Sequence, residues 1–146
     1  MSKRFRSTRL LWFVPVLLLA VPAWLWFTLL SPWGYERPAH LPAIAPGSSH
    51  ELFVYGTLRK PWVRWLVTGS SGDTRPAILP GYRRTQLDIT PDPNARVEGE
   101  VWQVDAQQLR RLDRYERLGV RYERVRMRLA DGDEVWVYRR LPESRP

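Results

Sequence analysis

Two groups of residues in this chain are of types and spacings that could do chemistry. The first centres on Glu116. Asp105 reads as a helix N-cap, with Gln108 completing a capping box three residues on, so a helix is expected from Ala106 to about Glu116. Leu109 and Leu112 mark its apolar face. At ~100° per residue Glu116 falls within about 40° of both, being i+7 from one and i+4 from the other. A carboxylate in a buried stripe is costly unless it is paired or lines a cavity. Lining a cavity, it would have a raised pKa and could take and return a proton near neutral pH. Turned outward instead, it would be a helix-end residue pairing with Arg117 or Arg121. Periodicity leaves both readings open. Asp113 lies on the same side, a step further round.

The second group is Leu52-Phe53-Val54-Tyr55-Gly56-Thr57-Leu58-Arg59. A continuous apolar run ending in glycine reads as a strand buried on both faces. Gly56 is expected to take a backbone conformation other residues avoid and to let a ligand approach the main chain. With the Thr57 hydroxyl and neighbouring amides, the turn would suit a small anionic or amide-bearing ligand. It reads equally as a core strand followed by a turn.

Other chemistries have little to draw on. The 146-residue chain has no cysteine, which excludes disulfides and cysteine-based nucleophiles or zinc sites. Its two histidines, His40 and His50, lie outside the expected folded domain, so a Ser-His-Asp triad or a histidine metal site is poorly supported. No cofactor or metal is expected. The net charge of +8 is split evenly: residues 1–50 and residues 51–146 each carry +4. Basic and aromatic residues are not interleaved as a single-strand platform would need, so nucleic-acid binding is not expected.

The elements that must position these residues lie in the last two thirds of the chain. Pro61 suits the first turn of a short helix whose apolar face would be Trp62, Trp65 and Leu66. Ala77–Leu79 and Tyr82–Leu87 are short strand candidates split by Pro80-Gly81, and Thr90-Pro91-Asp92-Pro93-Asn94 reads as a loop. Val97–Val104 is another strand. From Arg121 to Leu129 the pattern alternates, with Glu123, Val125, Met127 and Leu129 on one face and Tyr122, Arg124, Arg126 and Arg128 on the other. Asp131-Gly132 is a hairpin signal before Val135-Trp136-Val137-Tyr138. The arginine row reads as a solvated face, with an anion or phospholipid-headgroup contact as the alternative.

Ahead of this domain, Leu10–Leu30 holds 21 residues without a charge. As a helix it would reach roughly 30 Å, the thickness of a bilayer core. Four basic residues precede it, so the positive-inside rule puts the N-terminus in the cytoplasm and the domain in the periplasm or outside the cell. A cleaved signal peptide is the rival, but its apolar region is normally shorter. The expected organisation is a basic segment over 1–9, a transmembrane helix over 10–30, a Pro/Gly/Ser linker over 31–50 and a folded domain over 51–146.

Four motifs together resemble the gamma-glutamylcyclotransferase-like family. Phe53-Val54-Tyr55-Gly56-Thr57-Leu58-Arg59 resembles its Y-G-T-L-R signature, and Val97-Glu98-Gly99-Glu100-Val101 its second strand signature. Leu112-Asp113-Arg114-Tyr115-Glu116 resembles L-D-x-Y-E, and Tyr122-Glu123-Arg124 resembles Y-x-R. The set spans residues 51–140 in the family's order. The resemblance implies an α+β fold, a small mixed β-barrel with a few short helices. It implies cyclisation of a γ-glutamyl group to 5-oxoproline with release of an amine or amino acid. Glu116 would be the acid/base, and Tyr55, Gly56, Thr57 and Leu58 would line the γ-glutamyl pocket, bordered by Tyr122 and by Tyr138. A non-catalytic ligand-binding or scaffold protein on the same fold is the alternative. One departure stands out: the family often has glycine directly after the glutamate, where this chain has Arg117-Leu118-Gly119.

Overall fold

The computed structural model describes residues 18–24, 26–27, 35–41 and 43–142. The chain divides into two compact units, Met1–Glu36 and Arg37–Pro146. In the first, residues 18–24 and 26–27 are helical. Among the described residues no helix is long and apolar enough to cross a membrane. The rest of the span expected over 10–30 lies outside the described residues.

The second unit is built on β1 (Ser49–Val54), whose last three residues are buried on both faces as their unbroken apolar run predicts. β1 pairs antiparallel with β3 (Asp88–Asp105) and parallel with β5 (Glu134–Arg140). β2 (Thr74–Thr85) flanks β3 and β4 (Tyr122–Arg128) flanks β5, giving the order β2-β3-β1-β5-β4. The expected barrel is therefore a curled, open mixed sheet. Its edge strands do not pair as a ladder; the Ala130 amide, just past β4, donates to the β2 carbonyl of Ile78 at 2.9 Å. Phe53, Leu79, Ile89, Val101 and Val137 fill the inside of the curl. Gly99 is required there: a Cβ on it would lie 2.5 Å from the Phe53 ring and 2.6 Å from the Val54 carbonyl oxygen.

Three expectations about the strands change. Pro80-Gly81 does not split a strand but forms a bulge within β2, with Gly81 at φ +76° and a register shift between Pro80 and Tyr82. The proline-rich segment around Pro91 and Pro93 is not a loop. It lies in the first half of β3, which pairs only with β2, so the missing proline N–H groups are tolerated on the outer edge. His50, expected outside the domain, pairs with Val104 inside the sheet.

α1 (Pro61–Thr68) is capped by Gly69 in the left-handed conformation, and it buries the face opposite to the one predicted. Trp62 and Trp65 are 64% and 62% exposed, while Val63, Arg64 and Val67 face inward. The reason is Arg64. Its guanidinium donates to the carbonyls of Leu58, Arg59 and Ser71 and stands over the Trp102 ring. Satisfying those carbonyls fixes the helix's rotation against the pull of its tryptophans.

α2 (Ala106–Tyr115) begins as expected. The Asp105 side chain accepts from the amides of Gln107 and Gln108, and the Gln108 side chain accepts from the Asp105 amide. The helix buries Ala106, Leu109, Leu112 and Asp113. It covers one end of the expected arginine face, so only the far end is solvated. There Arg126 packs on Trp136 and Arg128 pairs with Glu134. Under the helix Tyr122 is buried, and the Arg124 side chain is only 5% exposed. Of the expected linker, residues 37–41 and 43–48 lie in this unit, and Ile44 is buried in it.

Candidate functional site

The site is assembled where the end of β1 meets the end of α2. Tyr55 follows β1, and its hydroxyl donates to the Tyr138 carbonyl oxygen at 2.7 Å. Burial, with the Glu116 charge second, pushes the phenol well above its ordinary range and keeps it neutral. Gly56 takes φ −110° and ψ −137°, outside the ordinary helical and extended regions. A Cβ there would meet Leu87 at an ordinary 3.6 Å, so crowding does not require the glycine. Thr57–Arg59 then forms a single 3₁₀ turn with Leu58 buried. The first amides of such a turn have no acceptor within the helix.

Glu116 is the C-cap of α2. The Leu118 amide donates to the Asp113 carbonyl at 2.8 Å and the Arg117 amide to the Arg114 carbonyl at 3.0 Å. This is a Schellman ending with Arg117 in the left-handed position, at φ 52°, where glycine is usual. The buried Leu118 closes the turn. Glu116 is thereby held between helix and loop, partly shielded from solvent. Among the described residues its carboxylate has no ion pair within 4.0 Å. Burial pushes its pKa up to about 7, and the charge of Arg121 opposes this only in part. The negative end of the helix dipole lies at the same place and also disfavours ionisation. The Glu116 charge acts on Tyr55, Tyr115 and Tyr138, so the carboxyl lies within electrostatic reach of all three.

The remaining predicted residues are placed as follows. The Tyr122 hydroxyl donates to the Leu87 carbonyl at 3.2 Å, joining β4 to the β2–β3 turn beside Gly56. The Tyr138 hydroxyl donates to Asp113 Oδ1 at 2.6 Å. It is thus committed to holding α2 rather than offered to a ligand. Arg124, its cross-strand partner, donates to the same oxygen at 2.9 Å. Asp113 is 1% exposed; burial raises its pKa, against the pull of Arg124 and the Tyr138 hydroxyl.

Three contributors were not singled out from the sequence. Tyr115 hydrogen-bonds the Thr57 side chain and is pushed up by burial, linking the residue before Glu116 to the glycine turn. Its place in Leu112-Asp113-Arg114-Tyr115-Glu116 was the available signal. Asp113 with Arg124 is a buried pair that helical spacing hinted at. Arg140 reaches the Tyr122 hydroxyl at 3.4 Å, and nothing in the strand pattern separated it from a surface arginine.

The chain is similar to known proteins over this folded unit. The family model described as Gamma-glutamyl cyclotransferase, AIG2-like matches residues 52–145. Protein AIG2 C of Arabidopsis thaliana is 35% identical over 105 residues, covering 61% of this chain and 62% of that protein. AIG2-like protein C of the same plant is 32% identical over 96 residues, covering 60% of this chain and 55% of that protein. The chain thus spans less than two thirds of the length of these relatives. A solution structure of an Arabidopsis thaliana protein superposes with a TM-score of 0.58 at 29% identity, over 73% of this chain and 70% of that one.

The raised Glu116 pKa has a signed consequence for stability. The folded state holds a proton that the unfolded state gives up between the ordinary value of 4.5 and about 7. The wild type should therefore lose stability as pH rises through that window and level off above it. Glu116→Gln has no such proton, so urea unfolding should show its stability relative to wild type rising by about 1–3 kcal/mol from pH 4.5 to pH 8. Parallel curves for the two proteins across that range would contradict the assignment.

Proposed function

Because the chain belongs to the gamma-glutamyl cyclotransferase, AIG2-like family, we propose that it cyclises a γ-glutamyl group to 5-oxoproline and releases the attached amine or amino acid. The observation that carries this reading is the Glu116 carboxyl, raised to about 7 by burial. It stands at the end of α2, where its charge acts on Tyr55.

The reaction needs no protein nucleophile, which suits a chain without cysteine. The substrate's own α-amine attacks its γ-carbonyl carbon, forming the new C–N bond. Glu116, as carboxylate, takes a proton from that amine. It returns a proton to the leaving nitrogen as the old C–N bond breaks, so no net proton is consumed. A carboxyl whose pKa is near the working pH can do both halves. Tyr55, Gly56, Thr57 and Leu58 would hold the γ-glutamyl chain folded for attack, with Tyr122 at the border. Positioning of this kind supplies much of the acceleration in an intramolecular reaction. Amides at the turn would face the substrate's carboxylate or the developing oxyanion. Tyr138 acts indirectly, through Asp113 and α2.

The proposal extends to location. The uncharged stretch over 10–30, preceded by four basic residues, supports a single-pass anchor with the N-terminus in the cytoplasm and the domain in the periplasm or outside the cell. A reporter enzyme fused after Pro146 should then be active only outside the cytoplasm; activity inside would contradict this topology.

For the activity, the purified full chain should release 5-oxoproline from γ-glutamyl compounds. Glu116→Gln should lower kcat/KM by roughly 100- to 10,000-fold, the usual range for a general acid/base. A Glu116→Gln chain as active as wild type would refute the mechanism.

A further inference from the structure

The outward face of α1 is apolar. Trp62 and Trp65 are 64% and 62% exposed and Leu66 is 41% exposed. At i, i+3 and i+4 they form one continuous stripe along the helix. Single exposed apolar residues are ordinary, but two tryptophans and a leucine on adjacent turns make a patch, and such patches mark contact surfaces.

The charges around the stripe are of one sign. Residues 57–72 contain Arg59, Lys60 and Arg64 and no acid. Arg59 and Arg64 share the carboxylate of Glu100, at 3.4 and 3.5 Å. Lys60 is exposed at the N-cap of α1. At the other end of the helix Arg111, also exposed, donates to the Thr68 carbonyl at 2.6 Å, a neutral partner that leaves its charge in place. An aromatic face with a cation at each end is complementary to anionic headgroups above hydrocarbon. Tryptophan suits that boundary, because its ring enters the apolar side while its N–H stays among polar groups. A second copy of the chain laid on the same face would set cation against cation.

The tether is short. Arg37 stands 4.0 Å from Asp113, and Ile44 is buried in the domain, so this part of the expected linker belongs to the fold. Six residues, 31–36, separate Arg37 from the uncharged stretch over 10–30. Fully extended, they span about 20 Å.

Resting on the reading of residues 10–30 as a membrane anchor, we propose that α1 docks on the lipid surface. Trp62, Trp65 and Leu66 enter the headgroup–acyl boundary, and Lys60 and Arg111 meet anionic headgroups. Because α1 directly follows the Thr57–Arg59 turn, docking holds that turn near the interface.

The chain has no cysteine, so a single introduced one carries a label at a known place. The full chain, labelled with the environment-sensitive fluorophore NBD at Leu66→Cys or at exposed Asn94→Cys, is placed in vesicles of phosphatidylcholine and phosphatidylglycerol. The Leu66 label should brighten roughly threefold and be quenched by doxyl-labelled lipid, while the Asn94 label stays in water. The effect should weaken in pure phosphatidylcholine and at high salt. It should disappear in Trp62→Ser/Trp65→Ser, whose altered side chains lie on the surface. A Leu66 label that stays in water on chains that resist an alkaline carbonate wash would overturn docking and leave the anchor standing. Quenching that survives the double variant would also overturn it. So would a bright label that doxyl lipid does not quench, accompanied by cross-linked dimers, because a second copy would then cover the face. Chains washed off by carbonate would contradict the anchor, and the label read before the wash would still decide docking: quenched supports it, aqueous overturns it.

Discussion

Asp113 is buried in the contact between α2 and the β4–β5 hairpin, and the geometry of the site depends on how that charge is held. Its Oδ1 accepts from Tyr138 and Arg124, which are cross-strand neighbours and so present both donors from one face of the hairpin. Arg37 stands 4.0 Å from its other oxygen. Removing one partner from such a buried pair typically costs about 3–5 kcal/mol, because it strands a charge away from water. That is a large share of the 5–15 kcal/mol that usually separates folded from unfolded chains. By contrast, a left-handed non-glycine residue costs roughly 1–2 kcal/mol. The anchoring outweighs the strain, so α2 ends in a Schellman turn at Arg117 although no glycine is there. Tyr55 extends the same connection, because its hydroxyl bonds the main chain of Tyr138.

With α2 fixed this way, two carboxyls three residues apart on one helix meet different fates. Asp113 is desolvated, but two donors oppose the effect of burial. Glu116 is desolvated with the charge of Arg121 opposing, and burial pushes its pKa up to about 7. One carboxylate is spent on architecture and the other is left able to exchange a proton. Separation of two acids by environment is the usual way a site obtains a group fit for acid/base work at neutral pH.

Much of this was legible in the sequence because it depends on short-range pattern. The apolar run of Leu52–Val54 marked the central strand, Asp105 and Gln108 the start of α2, Asp131-Gly132 the hairpin, and the spacing of Leu109 and Leu112 the buried face of α2, while it left the direction of Glu116 open. The misreadings share a cause: long-range partners override local preference. Proline and asparagine around Pro91 signal a loop, yet pairing with β2 on a free edge makes the segment a strand. The β2–β3 turn uses Gln86 at φ 54°, with no glycine or asparagine to announce it. Trp62 and Trp65 looked like core until the carbonyls around Arg64 claimed the other face of the helix. Arg124 looked solvated because its buried partner lies on another element.

Glu116 exchanges a proton near neutral pH because burial disfavours its charge and, among the described residues, no cation lies within ion-pair distance of its carboxylate. The most direct measurement is a carbon-13 NMR titration of the glutamate side-chain carboxyls in the full chain, with the Glu116 signal assigned through Glu116→Gln. A midpoint near 7 for Glu116 is the predicted result. A midpoint at the ordinary glutamate value of about 4.3 would contradict it.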